Sequence, residues 1–278
     1  MKAFILAICV FPLPVLAQQY YHDISATEES NRQFQLYLQL KVVSITATGY
    51  NQDNRPVSDF SEKQVIDADA RKITTTRNSD NQSSVETLFF DEQNRLIQSV
   101  DSSSINTNTT RYVYDVNGRV SMISNNLLDT AVNIDENETH TWIYDEEGLP
   151  QKMIRVVNIN DTTEFRFKTD ANGHITEETT YKRGRAGEVV YYYYNDKGQL
   201  TDIVRYNTRA RRLLPDFMFE YGENGKMIQK ISTVSNPRVG YIIWRYQFDS
   251  RGLKIREANF TKEKKLIGRI DYAFSFAE

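Results

Sequence analysis

The stretch Tyr112-Val113-Tyr114-Asp115-Val116-Asn117-Gly118-Arg119-Val120 decides the fold of this 278-residue chain. Its two tyrosines point to the same face of a β-strand, because side chains along a strand alternate with period two. Asp115 then favours a tight turn, and Gly118 takes up the positive φ that other residues resist. Val120 restarts the alternation on a returning strand. The stretch therefore predicts a β-hairpin.

The same pattern, aromatic-x-aromatic-Asp-x-x-Gly-x-aliphatic, recurs along the chain. The residues equivalent to Asp115 in its seven copies are spaced 24 to 30 residues apart, at Asp91, Asp115, Asp145, Asp170, Asn195, Gly222 and Asp249. A degenerate copy runs from Thr48 to Val57, and another centres on Asp67. The connectors between copies are short and polar, so residues 44–278 are predicted to form one domain of hairpin repeats.

The number of repeats limits the shape of the sheet. Seven to nine hairpins imply about 14 to 18 antiparallel strands, whereas open twisted sheets seldom exceed about 10 strands. We therefore predict an all-β fold, an antiparallel meander of hairpins that forms one curved or superhelical sheet. The repeated aromatic residues, such as Tyr112 and Tyr114, are predicted to form its core.

The N-terminus is typical of a secretory signal peptide. Residues 1–17 combine Lys2, a short apolar run and a small-residue cleavage site that ends at Ala17. The run is broken by prolines and is too short to span a bilayer. The single cysteine, Cys9, lies within it, so the mature chain is predicted to have no disulfide.

Residues 18–43 form a segment that leads into the repeats. Phe34–Val42 alternates strictly between apolar and polar residues and predicts a first strand. Ser25–Glu29 has the composition of a helix N-terminus and suggests a short helix before that strand.

The repeat core at Tyr112–Val120 resembles the YD repeat of the Rhs family of bacterial surface and toxin-delivery proteins. The resemblance covers most of residues 44–276, although only one unit carries Gly-Arg, at Gly118-Arg119. In large Rhs proteins such repeats spiral into a hollow β-shell, and YD repeats are associated with carbohydrate binding. The resemblance implies a hairpin architecture and an exported protein of the cell envelope.

Charge and motifs exclude several classes of function. With 34 Lys+Arg against 37 Asp+Glu, the net charge of -3 gives no concentrated positive field for nucleic acid. The three histidines, His22, His140 and His174, lack the spacing of metal ligands, so we predict no metal site. No nucleophile or phosphate-loop motif is present, so we predict neither a cofactor nor enzymatic activity.

Two groups of residues are candidates for ligand binding. Tyr191, Tyr193 and Trp244 are candidates for an aromatic platform that stacks on sugar rings. A basic cluster that suits an acidic glycan or a lipid head group consists of Arg205, Arg209, Arg211 and Arg212, with Lys182, Arg183 and Arg185 nearby in sequence. The predicted partner is a polysaccharide or another envelope protein.

These observations predict an exported, non-enzymatic binding or scaffold module of the bacterial envelope, periplasmic or on the cell surface, without a transmembrane helix in the mature chain. Two alternatives remain. The strands of an outer-membrane β-barrel also alternate between apolar and polar residues, and this fold needs an apolar band facing lipid on every strand. A glycan-cleaving hydrolase would need two carboxylic acids that converge in a cleft.

Overall fold

The computed structural model describes residues 18–79, 82–234 and 240–278. The predicted signal peptide, residues 1–17, lies outside the described residues. The described part begins with a π-helix, Tyr20–Ser25, which continues into an α-helix, α1, at Ala26–Gln39. Eighteen β-strands follow.

The strands occupy nearly all of the remaining chain. They are β1 Val42–Asn51, β2 Ser61–Asp67, β3 Lys72–Ser79, β4 Gln82–Phe90, β5 Leu96–Ser103, β6 Asn106–Tyr114, β7 Val120–Asp129, β8 Ile134–Tyr144, β9 Pro150–Val157, β10 Asp161–Thr169, β11 Ile175–Lys182, β12 Arg185–Tyr194, β13 Leu200–Asn207, β14 Arg212–Tyr221, β15 Met227–Thr233, β16 Tyr241–Phe248, β17 Lys254–Phe260 and β18 Leu266–Phe276.

The sheet closes into a barrel. Each strand pairs antiparallel with the next along the chain, and β1 also pairs with β18, with Ile45 opposite Phe274 and Tyr50 opposite Arg269. The all-β antiparallel meander is confirmed, but the predicted curved or superhelical sheet is corrected to a closed 18-stranded barrel. Closure is favourable because an open sheet leaves two edges of unpaired N–H and C=O groups.

The turn chemistry predicted from the repeat is confirmed. Asp115 Oδ1 accepts the backbone N–H groups of Asn117 and Arg119, both at 2.9 Å, and Gly118 has a φ of 80°. Because the chain meanders, the turns of all seven repeats lie at one end of the barrel, here named the repeat end. The turn at Asn51 makes the same contacts at the opposite end, here named the far end.

Contacts between neighbouring hairpins explain the other residues of the repeat. The Tyr114 hydroxyl donates to the Leu96 carbonyl at 2.8 Å, and the Arg95 guanidinium lies 4.5 Å from the Tyr114 ring centre. In the next hairpin, Arg119 lies 4.4 Å from the ring centre of Tyr144. The second aromatic residue and the residue after the positive-φ turn position, Asn94 or Gly118, therefore connect one hairpin to the next.

Gly118→Val is expected to lower the free energy of unfolding by about 2 kcal/mol. A β-branched side chain resists a φ of 80°, and its Cβ would lie 3.4 Å from Arg95 Nη1. Glu147→Gln, at the exposed tip of the β8–β9 turn, is the control and should change this energy by less than about 0.5 kcal/mol. Denaturant midpoints measure both, and equal midpoints would show that the turn is misplaced.

The inner face of the barrel holds the core. Trp142, Tyr192 and Phe219 occupy equivalent repeat positions and are 4%, 2% and 4% exposed, which confirms the predicted aromatic core. On the outer face, Tyr193 next to Tyr192 is 47% exposed, and Val113 between Tyr112 and Tyr114 is 43% exposed. Alternation along each strand therefore separates the core from the outer surface.

The π-helix and α1, here named the helical segment, close the repeat end of the barrel. Phe34 is fully buried and stacks on Phe90 with ring centres 3.9 Å apart, and Asn31 accepts the backbone N–H of Leu96 at 2.7 Å. The strand predicted at Phe34–Val42 is therefore corrected, because most of it belongs to α1 and β1 begins only at Val42. Phe34 and Tyr37 are three residues apart, so a helix also places both on one buried face.

Candidate functional site

The outer face of β12 carries two of the predicted ligand-binding residues. Tyr191 and Tyr193 flank Tyr192, which is buried inside the barrel, so both point outward. Trp244 does not join them. It lies on β16 and is 8% exposed. Its register partner on β15 is Lys230, and both side chains lie on the inner face of the barrel. The predicted three-residue platform is therefore corrected to the two tyrosines.

Two further tyrosines extend this outer face. Tyr206 on β13 is 54% exposed and flanks Arg205, whose guanidinium bonds the inward-pointing Asp216. Tyr181 on β11 lies under the Arg166 guanidinium, 4.3 Å from its ring centre. We name Tyr181, Tyr191, Tyr193 and Tyr206 the tyrosine face. Rings on neighbouring strands offer flat, amphipathic surfaces to a ligand outside the barrel.

The far ends of the same strands are basic. The β11–β12 and β13–β14 turns are neighbours at the far end, separated by two strand spacings, or about 10 Å. Six exposed cations lie in or beside these turns, and we name them the basic rim: Lys182, Arg183, Arg185, Arg209, Arg211 and Arg212. The structure thus brings together six of the seven predicted basic residues and excludes Arg205, whose guanidinium bonds the inward-pointing Asp216.

The arginine cluster is available to a ligand. In the described part of the chain, no ion pair uses Arg209, Arg211 or Arg212, whereas Lys182 Nζ lies 2.7 Å from an Asp161 carboxylate oxygen. Unneutralised cations that lie close together produce a local positive potential, although the whole chain carries a net charge of -3.

A groove of about 340 Å³ lies beside the basic rim. Its lining includes Asp161, Arg166, Tyr181, Lys182 and Arg183, so it shares residues with both the tyrosine face and the basic rim. The lining combines an aromatic ring with donors and acceptors. Such a lining suits a ligand with many hydroxyl groups and some negative charge.

Inside the barrel, a fully buried carboxylate holds the start of the described chain. Glu178 Oε1 accepts the backbone N–H groups of Gln18 at 2.7 Å and Gln19 at 3.0 Å. Its Oε2 accepts the N–H of Tyr20 at 3.2 Å and the hydroxyl of Tyr192 at 2.8 Å. Burial raises the pKa of Glu178, and the donated hydrogen bonds oppose that rise.

A second polar contact joins the π-helix to the wall. Asp23 Oδ2 accepts the Trp142 indole N–H at 2.9 Å and lies 2.7 Å from His140 Nδ1. His140 Nε2 lies 2.6 Å from Glu138, which also accepts Arg155 Nε at 2.8 Å. Burial lowers the pKa of His140, but the two carboxylates outweigh it and raise that pKa to about 9.

The pH dependence of stability should report this contact. Since folding raises the pKa of His140 from 6.5 to about 9, its stabilising effect is complete below pH 6.5 and is lost as the pH rises through 9. We expect wild type to lose about 2 kcal/mol more than His140→Gln between neutral pH and about pH 10. Urea unfolding across this range measures the difference, and parallel curves would contradict the contact.

Sequence reasoning missed these inner residues. Alternation along β8 places His140 on the same face as Trp142 and Tyr144, so the sequence alone could have predicted that His140 points into the barrel. The contacts of Asp23 with Trp142 and of Glu178 with Gln18 could not be predicted in this way, because these partners are more than 100 positions apart in the chain.

The described residues contain no group of three His, Cys, Asp or Glu side chains placed to hold a metal ion. Within the same ranges, no helix is long and apolar enough to cross a membrane.

No protein-family model and no curated protein matches this chain. Among solved structures, a porin-like protein from Bacteroides uniformis matches with a TM-score of 0.42 at 12% identity, covering 85% of this chain and 97% of that one. A porin-like protein from Bacteroides vulgatus matches at 0.27 and 14%, covering 85% and 98%. The Photorhabdus luminescens Tc holotoxin pore matches at 0.31 and 10%, covering 78% and 16%. Similarities at these levels identify neither a family nor an activity.

Proposed function

We propose that the protein is an exported β-barrel of the bacterial cell envelope that binds an anionic polysaccharide along the outer face of β11–β14. One observation carries the proposal. The tyrosine face runs along these strands and ends at the basic rim, so stacking surfaces and cations lie on one continuous side of the barrel.

The two parts would contact different groups of the polymer. Tyrosine rings pack against the apolar faces of sugar rings, and their hydroxyls hydrogen-bond to the sugar hydroxyls. Arginine guanidinium groups bind carboxylates or sulfates through paired N–H donors. A polymer with both sugar rings and regularly spaced negative charges would match this side of the barrel.

Neutralising the arginine cluster should weaken this binding. We expect Arg209→Gln/Arg211→Gln/Arg212→Gln to lower the affinity for polygalacturonate by about tenfold at low ionic strength, because the rim loses half of its six charges. The control is Lys63→Gln/Lys72→Gln/Arg111→Gln, which removes the same charge from outward positions on β2, β3 and β6. Isothermal titration calorimetry measures both variants.

If the two variants bind polygalacturonate with equal affinity, the basic rim is not the binding site. Dextran, which has no charge, should bind weakly to all variants and should be insensitive to salt. Fragments released from polygalacturonate during the titration would instead favour the hydrolase alternative.

The closed barrel supports a second candidate, an outer-membrane barrel, better than it supports the predicted scaffold module, because closure is the architecture that this alternative predicts. A lipid-facing barrel needs an apolar outer band. Charged side chains point outward on strands around this barrel, at Lys63, Arg111, Arg166, Lys168, Glu220 and Arg245. These charges, together with a core inside the barrel, support the water-facing location that we propose.

Fractionation of the native cell separates the two candidates. The water-facing barrel should appear in the soluble envelope fraction after osmotic shock, and it should not need detergent for extraction. Recovery only from detergent-solubilised outer membrane would establish the membrane barrel.

A further inference from the structure

Glu178 lacks a positive partner. It is 0% exposed, and its hydrogen bonds within the described residues come from peptide N–H groups and the Tyr192 hydroxyl. All of these donors are neutral while Gln18 is preceded by a peptide bond. A buried carboxylate that has only neutral donors is less stable than one that also has a cation beside it.

The nitrogen closest to Glu178 belongs to Gln18, the first residue after the predicted signal-peptide cleavage. Hydrolysis of the Ala17–Gln18 bond by a signal peptidase gives the hydroxyl of water to the Ala17 carbonyl and a proton to the Gln18 nitrogen. The resulting α-amino group is protonated below its pKa of about 8. This nitrogen lies 2.7 Å from Glu178 Oε1, which is the distance of a charge-assisted hydrogen bond.

Other features of Gln18 suit a chain terminus. The residue is 1% exposed, and its Nε2 donates to Asp216 Oδ2 at 2.6 Å, which fixes the nitrogen beside Glu178. Its φ of 82° lies in the left-handed region, which is unfavourable for a residue with a side chain. The first residue of a chain has no preceding peptide group, so this restriction on φ is absent after cleavage.

We propose that Glu178 is the buried receptor for the α-ammonium group of mature Gln18, so that removal of the signal peptide completes the interior of the barrel. The ion pair forms only after cleavage, because the precursor has a neutral peptide nitrogen at this position. Processing therefore stabilises the exported barrel relative to its precursor. This inference concerns maturation and is independent of the polysaccharide site on the outer face.

The N-terminus of the exported protein is the first test. N-terminal sequencing and intact mass should show a chain that begins at Gln18 with a free α-amino group. Another first residue would overturn the proposal. So would loss of ammonia from Gln18, because the resulting cyclic amide has no positive charge.

The second test measures the energetic coupling. We compare a chain that begins at Gln18 with one that begins at Val15 and so keeps three residues before it. The Gln18 chain should have an unfolding equilibrium constant at least about tenfold smaller. With Glu178→Gln in both chains, the difference should fall below about twofold. Three extra residues after Glu278 provide the control for chain length.

Equal stability of the two wild-type chains would contradict the proposal, as would a difference that persists with Glu178→Gln. If the Glu178→Gln variant does not fold, the acylation rate of the α-amino group tests the proposal instead. Acylation of this group in the folded Gln18 chain should be at least about a hundredfold slower than in urea. Equal rates would show that the α-amino group is not held inside the barrel.

Discussion

Phe34→Ala is expected to lower the free energy of unfolding by about 3–5 kcal/mol, the largest effect that we predict for one substitution. Phe34 is fully buried and stacks on Phe90 with ring centres 3.9 Å apart. Truncation removes the contact by which α1 closes the repeat end and leaves a cavity that the rigid barrel wall cannot fill. Urea unfolding followed by circular dichroism measures the change.

Gln35→Ala is the matched control for this substitution. Gln35 is the next residue of α1 and lies on its exposed side, so the change should be less than about 0.5 kcal/mol. If the two variants were equally stable, α1 would not be part of the core.

Asp23→Ala is expected to cost about 3 kcal/mol near pH 6. The substitution leaves the His140 charge and the Trp142 indole N–H without the carboxylate that now contacts both, at 2.7 and 2.9 Å. Removing one partner of a buried ion pair costs more than the net value of the pair, because the other charge stays buried. Unfolding midpoints at pH 6 and pH 9 measure the loss, which should be smaller at the higher pH.

Glu29→Ala tests whether any acidic residue of the helical segment would behave in this way. The Glu29 side chain is 67% exposed and pairs with Arg32 on the same helix, so its removal should change stability by less than about 0.5 kcal/mol. A loss at Glu29 as large as that at Asp23 would argue against a special role for the His140 contact.

The repeat made the hairpins predictable, since each turn depends on local residues such as Asp115 and Gly118. Closure was not predictable in this way. It depends on the pairing of β1 with β18, whose residues are more than 200 positions apart and carry no local signal. The helix at Phe34 was missed because the strict alternation of Phe34–Val42 is the pattern of a strand, and it outweighed the helical spacing of Phe34 and Tyr37. The YD-repeat resemblance stays a prediction.

In the candidate site, too, contacts between residues that are close in sequence were predictable, and contacts across strands were not. The cluster at Arg209 lies in a turn, as its composition suggested, and Tyr191 and Tyr193 share a face because they are two residues apart. Adding Tyr181 and Tyr206 required the register of β11 and β13 against β12, which bulges shift. Trp244 was misplaced although alternation puts it on the same face of β16 as Tyr246, a repeat-core position two residues away, so its inward position was predictable from the sequence.

Closure of the barrel is the central claim, since the positions of the basic rim, the tyrosine face and the helical segment all follow from it. Spin labels on Thr46→Cys and Ala273→Cys test it directly, because these exposed residues are opposite each other on β1 and β18. We predict the strong dipolar coupling of Cβ atoms about 5 Å apart, equal to that of the control pair Thr76→Cys and Val85→Cys on β3 and β4. Coupling in the control pair together with none between β1 and β18 would contradict the closed barrel.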